Sequence, residues 1–597
     1  MTATSCLTFC LLLFSLATLS LYGQPVGSSS TRLNQLGFYP NGPKVAIILA
    51  DAGGPFQVTT PDGKKVLFAG KLGEVRQNSI SGKTARTADF SAFRTVGTYV
   101  VNVPGIGQSY PFTIKQNVHR DLAAGSLKGF YYQRASTNLP EKFAEQWHRP
   151  AGHPDNHVFV HSSAASATRP AGTTISSPGG WYDAGDYNKY IVNSGITMGT
   201  LLSLYEDFPD FCRTVTDNIP ESGNRLPDLL DESLWNLRWM LTMQDPTDGG
   251  VYHKLTNPKF DGMVMPDKAK PGTDRYVVQK SVTAALDFAA VMAQASRIFT
   301  AYNRELPGLS DSCRTAAVKA WQWAKQNPNA LYDQDAMNKA FDPDVVTGTY
   351  GDRDASDEWI WAAAELYLTT RDDAYYKAIN LFPDDKTPLP SWPQVRTLGY
   401  YSLARMRSQL TPRGQQDLPK IKAHITQLAD QLRQHVGSQA FQTPMGKSAT
   451  DYIWGSSAVA ANQGIALIQA YRLTGEKSYL DAALANLDYL LGRNAVGYSF
   501  VTGFGHKTPM HPHHRPSVAD GIDAPVPGLL SGGTNANAAR QDKCAGYTTT
   551  IADEVYLDSD CSYASNEIAI NWNAPLVYLA TALEALQDKL TTSTPRK

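Results

Sequence analysis

Charge of one sign is missing from this chain. Its 597 residues carry 54 Lys and Arg against 55 Asp and Glu, a balance that excludes broad attraction to nucleic acid or anionic lipid and favours a neutral substrate. Long apolar runs are also missing, except for 7–21, which is Leu-rich but short for a membrane span. With small residues around Gly23, that run predicts a secretory leader over 1–23, cleaved before Gln24. An uncleaved anchor is the competing reading, because no Lys or Arg precedes the run. The expected product is a secreted or periplasmic monomer with no span in the mature chain.

Cysteine is scarce. Of six, Cys6 and Cys10 fall in the leader, and Cys212, Cys313, Cys544 and Cys561 remain. Four cysteines allow three pairings. Cys544 with Cys561 is the favoured one, with free buried thiols as the alternative. No fixed internal period is present, which argues against a helical repeat array.

Two regimes divide the mature chain. Over 30–115, short β-branched and aromatic runs (44–50, 56–60, 98–103) alternate with PDGK, SGK and PGIG turns, and predict a small immunoglobulin-like β-sandwich. Over 116–590 the apolar period becomes that of a helix, as in Ile191, Gly195, Met198, Leu202 and Tyr205. About twelve such segments are counted by this pattern, enough for six hairpins closed into an (α/α)6 barrel. The fold class is therefore mainly α, with function expected on long loops at one end of the barrel.

Three segments carry chemistry. GGWYDAGDYNKY, 179–190, sets Asp183 and Asp186 among glycines and aromatics. The two carboxylates face one way if Gly185 permits a tight turn or if a helix begins there; a nearby helix N-terminus would favour their ionised form. YLDSDCSYASNEIAINWNAP, 556–575, holds Asp558, Asp560 and Glu567, the last among apolar and aromatic neighbours that disfavour ionisation. An ionised and a protonated carboxyl are the two groups that glycoside hydrolysis requires. Between them, 499–517 crowds His506, His511, His513 and His514 into nine residues. Pro509, Pro512 and Pro516 make this a stiff loop, better suited to holding sugar hydroxyls through His513 and Arg515 than to zinc. Tyr187 and Trp454 are candidate stacking rings, with core packing as the bland alternative.

Together these segments resemble family 9 glycoside hydrolases, cellulases and related β-1,4-glucanases. TRLNQLGFYP (31–40), DGGVYHKLT (248–256) and TGTYGDRDASDEWIWAAAELY (347–367) are similar to further stretches of that family, so the resemblance covers nearly the whole mature chain. It implies hydrolysis with inversion of a β-glucan, with Asp186 as general base, Asp183 its partner and Glu567 the general acid. His513 and Asp558 are expected to support catalysis, and Arg515 to contact sugar. An endo-acting β-1,4-glucanase is the expected activity. Exo-acting β-glucosidase, cellobiohydrolase or glucosaminidase action is the alternative, and a non-catalytic glycan-binding protein is disfavoured by the retention of all three acids.

No cofactor is expected. The resemblance implies a structural calcium, for which Asp352, Asp357 and Glu358, with Asp354 in the same run, offer oxygen ligands, although an acidic helix start would look the same. Some relatives hold zinc ahead of the DAGD motif; here that stretch has His148, His153, His157 and His161 but no cysteine. The polar tail after Leu586 brings no carbohydrate-binding module, so soluble or accessible glucans are expected.

Overall fold

The computed structural model describes residues 29–51, 53–270 and 274–590; the expected leader lies outside them. The first elements are two facing sheets. One has the strand order Thr31–Arg32, Val45–Ile48, Thr84–Asp89, Arg76–Gln77. The other runs Gly37–Phe38, Phe112–Ile114, Gly97–Val103, Pro55–Thr59, Val66–Lys71, with Gly107–Gln108 paired to Gly97–Val103. Alternate residues point between the sheets, where Phe38 meets Phe90 and Phe112 edge to face, each at 5.3 Å.

Among the eighteen α-helices of the described residues, twelve follow in pairs: α1 (Arg120–Tyr132), α2 (Ile191–Asp207), α3 (Asp228–Thr242), α4 (Val282–Phe299), α5 (Leu309–Gln326), α6 (Ser356–Thr370), α7 (Asp373–Lys377), α8 (Arg396–Arg405), α9 (Pro412–Arg433), α10 (Ser456–Thr474), α11 (Lys477–Leu490) and α12 (Ile570–Leu586). The even-numbered helices are buried almost end to end. They make the inner wall, running α10, α12, α2, α4, α6, α8, and α9 packs on both α8 and α10 where the ring closes. Helix α4 is apolar enough to span a membrane, yet it is buried in this wall. The odd-numbered helices lie outside and keep a polar face.

Each outer helix is followed by a loop that leads into the N-terminus of an inner one. Most inner helices instead leave by shorter connections such as 371–372 and 475–476, although 208–227 is long. Gly475, at φ 75°, takes the left-handed position that ends α10. The far end of the barrel is sealed by paired buried charges: Arg405 on Asp207 at 2.8 Å, and Arg297 on Glu206 at 2.9 Å and Glu365 at 2.8 Å.

Two features position the loops. A five-stranded sheet of two- and three-residue strands, absent from the sequence expectations, joins Val158–Val160, Thr174–Ile175, Lys189–Tyr190, Lys254–Thr256 and Tyr276–Val277. The sandwich is also sewn to loop 491–569. Gln35 accepts the N–H groups of His506 and Lys507, both at 2.8 Å, and donates to the Gly497 carbonyl at 3.0 Å.

Candidate active site

Asp183 and Asp186 lie just before α2, and Glu567 just before α12, its neighbour in the inner ring. The backbone joins the two segments directly. Ile570 donates its N–H to the Asp183 carbonyl at 2.9 Å, Ala184 bridges to Ala569, and the Gly185 N–H donates to the Glu567 carboxylate. All three carboxyl groups thereby enter one recess.

The local geometry differs from both turn and helix expectations. α2 begins only at Ile191, so no helix stacks Asp183 over Asp186. The left-handed glycines are Gly179 and Gly180, at φ 80° and 76°, while Gly185 serves close packing. Each aspartate is oriented by its own donors. Asn193 Nδ2 at 2.5 Å and the Tyr350 hydroxyl at 2.7 Å hold the two oxygens of Asp183. Asn188 Nδ2 at 2.5 Å and the Tyr190 hydroxyl at 3.1 Å hold Oδ2 of Asp186.

Electrostatics separates the groups. Burial and the charge of Asp186 push Asp183 up to about 8, against the donors from Asn193 and Tyr350; the expectation that both aspartates favour ionisation therefore fails for Asp183. Burial, then Asp186 and Asp183, hold Glu567 well above the usual glutamate range, outweighing Arg515 and the Gly185 amide. A buried carboxyl kept protonated beside a carboxylate can donate to a leaving oxygen while its partner takes a proton from water.

The histidine loop forms the third side. His513 donates its backbone N–H to the Asn566 carbonyl at 2.9 Å, and its Nδ1 lies 2.5 Å from the Asp560 carbonyl, which directs Nε2 elsewhere. Arg515 donates from Nη1 to the Gly185 carbonyl at 2.6 Å and from Nε and Nη2 to the Asp261 carbonyl at 3.0 and 2.9 Å. Asp558 accepts the backbone N–H groups of Met510 at 2.8 Å and His511 at 2.9 Å and the Asn566 amide at 3.1 Å. Its oxygens are spent on the two segments flanking Glu567, which makes it a positioning residue. His514 is buried against Gln133 and Ser517, and His506 stacks on Tyr110. The rings of His506, His513 and His514 thus have separate partners.

Of the two candidate stacking rings, Trp454 is 40% exposed and leads through Tyr563, at 5.4 Å, to His513, at 5.7 Å. Tyr187 is buried, with its hydroxyl on the Val264 carbonyl at 2.6 Å and its ring against Tyr182 and His153, so no sugar can stack on it. This corrects its assignment as a binding ring. Tyr350 and Trp392, edge to face at 5.3 Å, make a second aromatic pair beside Asp183. Neither ring is marked by a motif of its own, although Tyr350 lies within TGTYGDRDASDE.

Beyond Tyr350, oxygens of Asp352, Asp357 and Glu358 approach within 4.8 Å of one another. Asp287 of α4 stands behind them; burial, then Asp357 and Asp352, push it up, and burial, then Asp287, push Glu358 up. Both oxygens of Asp287 and of Glu358, Oδ2 of Asp352 and Oδ1 of Asp357 are buried without hydrogen-bond partners. An all-oxygen set with unpaired charge fits a hard divalent cation. His153 and His161, from the histidine-bearing stretch weighed for zinc, are engaged separately with Tyr182 and with Ser163 and the Pro343 carbonyl. Cys544 and Cys561 form a disulfide that closes the loop bearing Asp558 and Asp560, and Cys212 and Cys313 are free and buried.

A barrel of paired helices with three carboxyl groups converging over its inner rim defines a glycoside hydrolase. The chain belongs to glycosyl hydrolase family 9: the family pattern matches residues 119–580, and that of the cellulase N-terminal ig-like domain matches 27–108. It is 48% identical over 563 residues to the xyloglucan-specific endo-beta-1,4-glucanase BoGH9A of Bacteroides ovatus, covering 94% of each chain. It is 33% identical to endoglucanase D of Acetivibrio thermocellus, covering 92% of this chain and 82% of the relative. Among solved structures, Bacteroides ovatus GH9 superposes with a TM-score of 0.88 at 47% identity, covering 94% of this chain and 99% of the other. A metagenome-derived family 9 endoglucanase superposes with a TM-score of 0.83 at 30% identity, covering 93% and 99%.

Proposed function

We propose that this enzyme is an inverting endo-β-1,4-glucanase that acts on a branched, soluble glucan of the xyloglucan type. Glu567 donates its proton to the glycosidic oxygen as the bond to C1 breaks. Asp186 takes a proton from the water that attacks C1 from the opposite face, and Asp183 holds that water. The observation that carries this reading is the Gly185 junction, which fixes a protonation-prone Glu567 against the aspartate pair. The 48% identical relative supports the choice of glucan. Hydrolysis of xyloglucan, carboxymethylcellulose and cellohexaose tests it. A rapid fall in xyloglucan viscosity with α-anomeric product seen first by NMR is expected; β-anomeric product, or glucose alone from the start, would overturn it.

Asp352, Asp357 and Glu358 are assigned to a structural calcium, which when bound neutralises their charge and ties the loop bearing Tyr350 to the start of α8 through the Val395 N–H on Asp357, 2.6 Å. Export to an oxidising compartment is the location this reading implies, and the Cys544–Cys561 disulfide supports it.

A further inference from the structure

The turn 257–265 beside the recess is held firmly, yet it exposes its apolar side chains. Its backbone is tied by the Asn257 N–H to Asn188 at 2.9 Å, by the Asp261 carbonyl to Arg515 at 2.9 Å, and by the Val264 carbonyl to the Tyr187 hydroxyl at 2.6 Å. Tyr187 and Asn188 directly follow Asp186, so the turn moves with the aspartate pair. Phe260 is nonetheless 47% exposed and Met263 38%. Val346, 51% exposed, joins the same rim through its N–H on the Pro258 carbonyl at 2.8 Å. An anchored turn has no conformational reason to present two large apolar groups to water beside a third from the segment bonded to it, and such an apolar rim marks a binding surface.

We propose that Phe260, with Met263 and Val346, is a specificity-determining platform for the sugar units lying beyond the cleavage point on the Arg515 side. The inference rests on the glucanase reading above. The Arg515 guanidinium carbon lies 5.8 Å from the Phe260 ring centre, while its Nη1 holds the Gly185 carbonyl, whose residue also bonds Glu567. The ring therefore stands one side chain away from the acid, where the neighbouring sugar of a β-1,4 chain must pass. A flat aromatic face suits the C–H face of a pyranose. The pliable Met263 beside it fits a chain that carries branches better than a rigid slot would. Trp454–Tyr563 and Tyr350–Trp392 line other parts of the recess, so this rim supplies a contact that neither pair makes.

The test compares wild type with Phe260→Ala, Phe260→Trp and Met263→Ala. The readouts are kcat and KM on branched xyloglucan oligosaccharides, on cellohexaose and on the shortest cello-oligosaccharide that wild type cleaves. For Phe260→Ala, the ratio of KM on the branched oligosaccharide to KM on the shortest substrate is expected to rise at least fivefold, mainly through KM. Phe260→Trp should restore most of the difference and Met263→Ala should reproduce part of it. The melting temperature should hold in every variant, because the side chains are exposed. An unchanged KM ratio, or an equal loss on all substrates, would overturn the platform. A wild type that cleaves none of the three would instead overturn the glucanase reading.

Discussion

A β-carbon on Gly185 would lie 2.1 Å from the carbonyl oxygen of His513. No heavy atom fits at that distance, so the segment before α2 and the histidine loop touch through bare backbone. Gly185→Ala is expected to force them apart at a cost of about 1–3 kcal/mol, the usual range for overpacking. Urea denaturation should show that loss together with near-complete loss of hydrolysis. A fully active, equally stable variant would contradict the contact.

Removing the proposed acid separates chemistry from stability. Glu567→Gln is expected to lower kcat roughly 10²–10⁴-fold on natural glucan. The folded state holds this carboxyl well above its unfolded value, so its contribution to stability is complete below the unfolded value and is lost as pH rises through the folded one. Glutamine carries no such loss. The variant should therefore gain stability relative to wild type at alkaline pH, read as a difference in urea midpoints between acid and alkaline buffers. The alkaline limb of wild-type kcat/KM should follow the same group.

Tyr350→Phe takes the hydroxyl from Asp183 and leaves the ring beside Trp392. A hydrogen bond between neutral groups contributes about 0.5–1.5 kcal/mol, so with Asp183 pushed up to about 8 kcat near neutral pH should fall roughly 2- to 12-fold, with KM little changed. An unaltered kcat would remove Asp183 from the water-holding role.

Chelation addresses the acid cluster at the start of α6. EDTA should lower the melting temperature and calcium should restore it, since a ligand bound only to the folded state stabilises by mass action. Asp352→Asn should weaken calcium binding by calorimetry. A melting temperature indifferent to both EDTA and calcium would remove the assignment.

Reduction of Cys544–Cys561 opens the loop that carries Asp558 and Asp560. Closing a loop of this size contributes about 3 kcal/mol on chain-entropy grounds. The Cys544→Ser, Cys561→Ser pair should unfold at lower urea. It should also lose activity under conditions where it is still folded, because Asp560 anchors His513. Lost stability with full activity would confine the disulfide to a structural role.

The helices were legible because apolar residues recur at helical spacing, and the sandwich because its turns are written in Gly and Pro. Asp183, Asp186 and Glu567 stood in dense local motifs. The partners that orient them did not. Asn193 sits inside an inner helix, and Tyr350 reaches Asp183 from a loop whose acids drew attention instead. Asp287 looked like an ordinary residue of a core helix until the fold set it behind three other acids. Tyr187 was misread because an aromatic beside a catalytic motif looks the same whether it faces sugar or core. The small sheet escaped notice because strands of two or three residues have no period to detect.

The pairing of helices has an electrostatic consequence. Since the loops that build the recess enter the inner helices at their starts, the inner helices all present the same end to it. Each such end carries roughly half a positive charge from unpaired backbone N–H groups. The parallel inner wall therefore casts a positive field over its own mouth, opposing the repulsion among the carboxylates gathered there and favouring the negative charge that develops on Glu567 as it gives up its proton.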